Sequence, residues 1–324
     1  MTLDFNSKND ILKDLISLDL EKDILNSEFD ISDGVTQKRY SSFLLQKAPV
    51  FIKVLFGQKA VIKEFEECGI ECIPIDANSY SLSSDTKLHQ LRSWKEGNFY
   101  IQDFASQNTL NNISPSKGEQ WWDACCGAGG KSLLFKTLYK DVSLSSSDVR
   151  PNMLDKFKAR LGHHKFEVES FVYDLSESKA GIISTKYDGI ILDAPCSGSG
   201  TWRRAPENIA LFTKEMLASY TATQRNLVKN AAQFLKTGGT LQYITCSIFK
   251  AENEDVVDFA CNDLRLECKS QGIVNFEKAE LVLDDIQDRE CFYFNDTSNL
   301  YYIDSVKFRV SPDRETNPEF VEDF

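Results

Sequence analysis

Two cysteines stand where a predicted strand gives way to irregular backbone. Cys196 lies in Asp193–Gly200 (DAPCSGSG), directly after the apolar run YDGIIL that begins at Tyr187. The proline before it and the Ser-Gly-Ser-Gly run after it deny it a helix, so it sits on a turn that a ligand can approach closely. Cys246 closes a second predicted strand, QYITCS, fifty residues later. Open α/β sheets keep their chemistry in the crevice at the carboxyl ends of the strands. A thiolate there is a nucleophile, whereas either cysteine alone also reads as a small buried hydrophobe.

A glycine turn, DACCGAGGKS from Asp123 to Ser132, follows another predicted strand. Gly130, Lys131 and Ser132 would end a Walker A loop, but the first glycine of that loop falls on Cys125. The glycines at 127, 129 and 130 also miss the GxGxxG spacing of a dinucleotide fold. Asp123 beside this turn suits a cofactor with an amine and no phosphate. Asp148 ends the second strand, where a carboxylate takes ribose hydroxyls, and Asp174 closes the third, within reach of an adenine amino group. Each alone reads equally as a solvated strand-end acid. In order, they suit S-adenosylmethionine, which is cationic at sulfur. Cys125, Gly127, Gly129, Gly130, Lys131, Arg150 and Asp193 complete the expected cofactor-binding set.

The elements that position these residues form an α/β chain. From Gly97 onward strands are expected at Gln120–Cys126, Val142–Asp148, Phe166–Tyr173, Tyr187–Leu192 and Thr240–Thr245. Helices are expected at Lys131–Tyr139, Asn152–Leu161 and Lys214–Lys236. The last carries Leu217, Tyr220, Gln224, Leu227, Ala231 and Leu235 on one face and ends at Gly238-Gly239. The alternation predicts a doubly wound, Rossmann-like parallel sheet. Ahead of it, a strand after Pro49, a helix at Ala60–Cys68 and a strand at Gly69–Ile75 predict a small α+β module. Two short helices are expected before residue 35, and a basic, aromatic patch spans Gln37–Phe43. A helix at Glu252–Cys261 is followed by terminal antiparallel strands that include CFYFND and LYYIDSVKFRV. The predicted division is 1–95 for the helical segment and small module, 96–310 for the methyltransferase domain and 311–324 for an acidic tail.

Composition narrows the class. The 324 residues are 42% hydrophobic and 27% charged, ordinary for a globular protein, and no apolar run approaches a membrane span. MTLDFNSKND lacks the features of a signal peptide, so a cytoplasmic monomer is expected. Nine cysteines without a regular framework fit reduced thiols. Cys68 and Cys72 are spaced like half of a metal site, but no second pair matches them and the chain has three histidines, so no metal is expected. A net charge of −12 argues against wholesale phosphate binding, and a nucleic-acid partner would need a local basic groove.

GNFYIQDFAS (Gly97–Ser106), DACCGAGGK, DAPCSGSGTWRRAPE (Asp193–Glu207), GGTLQYITCS (Gly238–Ser247) and AENEDVV (Ala251–Val257) together resemble the NOL1/NOP2/Sun family of RNA 5-methylcytosine methyltransferases, which includes bacterial RsmB-like enzymes. The likeness spans roughly residues 90–262, and the N-terminal module is similar to that family's small RRM-like domain. The resemblance implies an S-adenosylmethionine-dependent enzyme with a class I methyltransferase sheet, acting on an unstacked cytosine of RNA, with ribosomal RNA the expected substrate and tRNA the alternative. It also implies roles. Cys246 adds to C6 of the base, and Cys196 assists release. Asp193 supports N3 through hydrogen bonding or proton donation from a carboxyl of raised pKa, with Lys131 beside the same site.

DNA cytosine methyltransferases place their nucleophile in a PC motif with an ENV motif, which is absent here. Trp202, Arg203 and Arg204 are expected to form a stacking and phosphate-binding surface beside the pocket. Two departures favour a rival reading, a non-catalytic RNA-binding or assembly factor that retains the fold. Ala128 stands where the family's cofactor loop carries proline, and the chain is acidic.

Overall fold

The computed structural model describes residues 10, 29–45, 47–177, 185–270 and 304–310, with Ser270 and 304–310 as backbone only. The expected helices before residue 29, CFYFND and the tail from Ser311 lie outside the described residues.

Helix α1 (Gln37–Leu44) is capped by Thr36, whose hydroxyl accepts from the backbone N–H of Arg39. A small antiparallel sheet then forms from β1 (Val50–Val54), β2 (Cys72–Pro74), β3 (Ser79–Leu82) and β4 (Phe99–Ile101), in the order β2-β3-β1-β4. Helix α2 (Gln58–Glu67) connects β1 to β2, and α3 (Arg92–Lys95) precedes β4. The two-residue period of a strand sends β1 into two cores. Ile52 and Val54 pack with Val61 and Phe65 of α2 and with Phe99. Phe51, on the opposite face, packs with Trp121 and Phe135 of the larger domain. This face holds the small module to the rest of the chain, as do two adjacent histidines, His163 Nε2 donating to Trp94 O (2.8 Å) and His164 Nδ1 to Gly97 O (3.0 Å).

After α4 (Phe104–Asn108) the chain enters the larger sheet. Its elements are β5 (Gln120–Asp123), α5 (Gly130–Leu138), β6 (Ser143–Asp148), α6 (Pro151–His163), β7 (Glu169–Val172), β8 (Tyr187–Asp193), α7 (Glu207–Leu211), α8 (Lys214–Gln233), β9 (Leu235–Thr245), α9 (Glu254–Asn262), β10 (Leu266–Ser270) and β11 (Asp304–Val310). The order is β10-β11-β9-β8-β5-β6-β7. Strands β9, β8, β5, β6 and β7 run parallel, and β11 and β10 extend the edge antiparallel. The central strands are apolar on both faces, as a covered parallel sheet requires. Trp122, Ile190 and Leu192 face α8 and α9, whereas Trp121 and Ile191 face α5.

The boundary between α8 and β9 differs from the sequence reading. The helix stops at Gln233, and Leu235, expected on its apolar face, pairs with Tyr187 as the first residue of β9. Residues 236–239 bulge around Gly238, whose φ of 73° is a left-handed conformation, before Gly189 meets Thr240.

Residues 29–45 do not join the small sheet. Ile31 bridges Phe249, Ser32 N donates to Ile248 O (2.8 Å), and Phe29, Tyr40 and Phe43 pack with Trp202, Phe212 and Phe249. Residues 29–45 therefore brace the loops after β8 and β9. Among the described residues no helix is long and apolar enough to cross a membrane.

Gly189 packs beneath the indole of Trp121, and a Cβ there would stand 2.3 Å from Trp121 Cε2. Gly189→Ala is expected to lower stability by about 1–3 kcal/mol through overpacking, read as a shifted midpoint in urea unfolding with an unchanged slope.

Candidate active site

Strand order fixes where the site lies. Chain connections leave β5 toward β6 on one side and β8 toward β9 on the other, so the crevice opens at the carboxyl ends of these two adjacent strands. Asp123 ends β5 and Asp193 ends β8. Lys131, in the first turn of α5, reaches between them. Its Nζ lies 3.2 Å from Asp193 Oδ2 and donates to Ser106 Oγ at 2.7 Å. Gln102 Nε2 donates to the same hydroxyl and to Gly130 O, so the linker into α4 holds both the lysine and its loop.

Asp123 is fully buried. Oδ2 accepts a 2.5 Å hydrogen bond from Ser132 Oγ, while Oδ1 has no hydrogen-bond partner among the described residues. Burial pushes its carboxyl up to about 7 against the pull of Ser132, with the charges of Asp193 and Asp148 adding to the rise. Asp148 is the opposite case. Burial works against its ionised form, but hydrogen bonds and charge from Arg150, with the Gly127 N–H, outweigh it and hold this carboxyl low. Arg150 Nε and backbone N both reach Oδ1 at 2.9 Å, and Gly127 N donates to Oδ2 at 2.9 Å.

The loop between them needs its glycines. Gly127 and Gly129 have φ values of 51° and 84°. A Cβ at Gly129 would also lie 2.8 Å from Phe157 and Leu161 of α6. Ala128, which replaces the expected proline, lies between these two turns without disturbing the bond from Gly129 N to Cys126 O at 2.8 Å. Cys125 is half-buried, and burial with the carboxylates of Asp123, Asp148 and Asp193 pushes its thiol up, so it remains uncharged. Asp174 follows β7, the edge strand, where Oδ1 accepts from Ser176 N at 2.9 Å and Ser176 Oγ at 2.6 Å.

The two cysteines meet. Cys196 Sγ lies 3.3 Å from Cys246 Sγ, both are free thiols, and Cys246 N points at Cys196 Sγ from 3.4 Å. The hydrogen bond to Cys246, burial, and the negative charge of Cys246 and Glu252 push the Cys196 thiol well above its ordinary range. Cys196 is thus held as the protonated partner.

Glu252 was not among the residues singled out by the sequence reading. It is fully buried in the turn Lys250–Glu252, where four hydrogen bonds converge on it. Ser197 N (2.8 Å) and Gln224 Nε2 (2.9 Å) donate to Oε1, and the hydroxyls of Ser197 and Ser247 donate to Oε2. Each serine follows one of the two cysteines. A polar residue on the apolar face of α8, Gln224, was the available signal, because a buried amide requires a partner.

Of the three expectations beside the pocket, two change. Trp202 is buried, packs on Phe212 and Phe249 with ring centroids 5.1 and 5.8 Å away, and donates from Nε1 to Ser197 O. Arg203 is buried over the ring of Phe43, 4.5 Å from its centroid. Arg204 pairs with Asp103. Trp202 and Arg203 brace the Cys196 loop instead of forming an open stacking surface, because the aromatic segment 29–45 covers them, whereas Arg204 stays exposed. Among the described residues no group of three or more His, Cys, Asp and Glu could hold a metal ion.

Comparison with known proteins agrees with this arrangement. A family model described as 16S rRNA methyltransferase RsmB/F matches residues 110–303, more than half of the 324-residue chain. The chain is similar to the ribosomal RNA small subunit methyltransferase B of Proteus mirabilis, 28% identical over 217 residues, 65% of this chain and 51% of that protein. It is 30% identical over 213 residues to the mouse tRNA (cytosine(72)-C(5))-methyltransferase NSUN6, covering 60% of this chain and 44% of that protein. The chain thus spans about half the length of these curated relatives. In fold it resembles a methyltransferase homologue from Pyrococcus horikoshii (TM-score 0.63, 20% identity, 85% of this chain and 90% of that one). It also resembles NSun6 from Pyrococcus horikoshii solved with SFG (TM-score 0.66, 16% identity, 84% and 94%). The extent of the family match, over the same residues that build the crevice and the paired thiols, shows that the chain belongs to the RsmB/F methyltransferase family.

Proposed function

We propose that this chain transfers a methyl group from S-adenosylmethionine to C5 of a cytosine in RNA, with ribosomal RNA as the substrate. The observation that carries the reading is the pair of thiols 3.3 Å apart beside a crevice lined with carboxylates. The whole relatives named as rRNA and tRNA methyltransferases support an RNA substrate, and the mouse relative favours tRNA as the second reading. The topology of the small module, strand-helix-strand-strand-helix-strand with β1 beside β3 and β4, supports an RRM-like domain. Because β4 pairs with β1, we place the boundary after residue 101 instead of at the expected 95, with residues 29–45 serving the domain that follows.

The crevice residues fit the cofactor. Asp123 Oδ1 is a buried acceptor without a hydrogen-bond partner among the described residues, and Asp193 and Asp148 already raise this carboxyl's proton affinity. A ligand bearing an ammonium and a sulfonium would relieve that charge. Asp123 with the loop from Gly127 to Lys131 would hold the amino-acid end, Asp148 the ribose and Asp174 the adenine, with Cys125 and Arg150 bordering the same loop. S-adenosylmethionine supplies an electrophilic methyl group.

The chain's own residues supply the rest. C5 of cytosine is a weak nucleophile until a thiolate adds at C6. Cys246 forms that S–C6 bond, and the electron pair moves into the ring toward N3, where Asp193, paired with Lys131, supports the base. C5 then bonds to the methyl group. Loss of the C5 proton restores the C5–C6 double bond and expels Cys246, and Cys196 assists this release. Burial and the nearby Glu252 carboxylate favour the protonated form of Cys196, which suits a residue that manages a proton at release.

Cys246→Ala is expected to abolish methyl transfer to RNA, measured with labelled S-adenosylmethionine, and Cys196→Ala to accumulate a covalent RNA adduct visible in a denaturing gel. Wild-type turnover in Cys246→Ala would overturn the assignment. Bisulfite maps of rRNA and tRNA from a deletion strain and its parent decide the substrate, a methylcytosine lost from tRNA alone replacing the ribosomal reading.

Asp123 gives a prediction that needs no substrate. Its folded carboxyl titrates at about 7, above the 3.8 of the unfolded chain. Across that window the unfolded state binds fewer protons, so stability falls as pH rises and levels off above it. Asp123→Asn keeps an acceptor for Ser132 and removes this slope. Urea unfolding should show the variant gaining on the wild type by a few kcal/mol, on the order of 4 at most, between pH 4 and pH 8. Parallel pH profiles would count against it.

A further inference from the structure

We propose that Glu252 is a positioning residue for methyl transfer, holding the two cysteine loops in register and making the two thiols unequal. This rests on the reading that Cys196 and Cys246 carry the chemistry. The geometry is specific. The carboxylate receives Ser197, the residue after Cys196, through both its backbone N–H and its hydroxyl, and Ser247, the residue after Cys246, through its hydroxyl. Gln224 of α8 adds a donor to Oε1 and also donates to Pro195 O at 2.9 Å, the residue before Cys196. The loop after β8 is therefore gripped on both sides of its cysteine, and Gly200 N closes it onto Cys246 O at 2.9 Å.

The surroundings leave Glu252 as the charge that distinguishes the sulfurs. Among the described residues, the end of β9 faces Cys196 with Cys246, the Lys250–Glu252 turn faces it with Glu252, and α8 presents the neutral Gln224. The bracing segment 29–45 contributes Tyr40, whose hydroxyl donates to Ser199 O at 2.7 Å. Burial keeps that phenol neutral, its proton affinity raised. With the Glu252 carboxylate beside it, Cys196 retains its proton and can donate it toward a neighbouring thiolate. Glu252 itself touches neither sulfur by hydrogen bond and acts through the serines and its field.

The test uses Glu252→Gln, which keeps the shape and an acceptor but removes the charge, and Glu252→Asp, which keeps the charge on a shorter stem. In a Cys246→Ser background, without RNA, the pH midpoint of Cys196 alkylation by iodoacetamide is followed by peptide mass spectrometry. Glu252→Gln is expected to lower this midpoint by about one pH unit, and Glu252→Asp to restore most of it. In the protein with both cysteines, diamide oxidises the thiols to a Cys196–Cys246 disulfide by taking up two electrons and two protons. Glu252→Gln is expected to slow that step about tenfold at matched thiolate fraction, and to lower kcat for RNA methylation with little change in KM. Thermal melts identify any variant that fails to fold, in which case Glu252→Asp carries the test. An unchanged alkylation midpoint and disulfide rate in a folded Glu252→Gln protein that still methylates RNA would overturn the proposal. If the wild type transfers no methyl group while the midpoint still shifts, the functional reading fails and the link from Glu252 to the thiol pair stands.

Discussion

A carboxylate buried away from water must find hydrogen-bond donors, and the geometry of this site follows from where Glu252 finds them. Desolvation of such a group costs several kcal/mol, and charge-assisted hydrogen bonds offset that cost only when most of its lone pairs are used. Glu252 uses donors from two loops and a helix. Strands β8 and β9 are already neighbours in register, with Asp193 opposite Ile244. Parallel pairing alone would leave the irregular backbone beyond their ends free to diverge. The shared acceptor removes that freedom, and the two sulfurs come within 3.3 Å because the serines beside them are tied to the same two oxygens.

The other half of the crevice is governed by an excess of like charge. Asp123, Asp148 and Asp193 approach one another at the ends of β5, β6 and β8, against Lys131 and Arg150. Arg150 is committed to Asp148 through three hydrogen bonds, and Lys131 divides its ammonium between Asp193 and Ser106. Among the described residues Asp123 has a hydroxyl for one oxygen and no hydrogen-bond donor for the other, which explains why burial raises its proton affinity so far. A crevice built this way favours cations over phosphates. The same conclusion follows from the missing Walker glycine at Cys125, and the two arguments are independent.

Much of this arrangement was legible in the sequence because it depends on short-range pattern. The runs ending at Asp123, Asp148 and Asp193 alternate or persist as buried strands must, and the glycines at 127 and 129 stand where backbone φ is positive. The end of α8 was misplaced because Leu235 continues the helical apolar spacing and is claimed instead by pairing with Tyr187, a contact 48 residues distant in sequence. Tertiary pairing overrode local periodicity there. Trp202 and Arg203 were misread for a related reason. Whether an aromatic-basic cluster is a surface or a core depends on what covers it, and the cover, Phe29 to Phe43, comes from the far end of the chain. Glu252 lay inside the AENEDVV motif without a role of its own, since its significance lies in the convergence of Ser197, Gln224 and Ser247.

The PC cysteine is the nucleophile in DNA cytosine methyltransferases, so motif alone would assign that role to Cys196. The surroundings argue the reverse. Cys196 lies within the field of Glu252 and is enclosed by a loop fixed at Pro195, Ser197 and Gly200. Each of these features opposes ionisation or motion, and a nucleophile needs both. Cys246 sits at the mouth of the parallel sheet, one residue beyond the last paired residue of β9, with Asp193 at the end of the adjacent strand. A sulfur there can approach a base supported by Asp193, while Cys196 stays behind it with a proton to manage. On the proposed reading, identical side chains diverge in role because the loop of Cys196, held at Pro195 by Gln224 and at Ser197 by Glu252, keeps that sulfur beside a buried carboxylate.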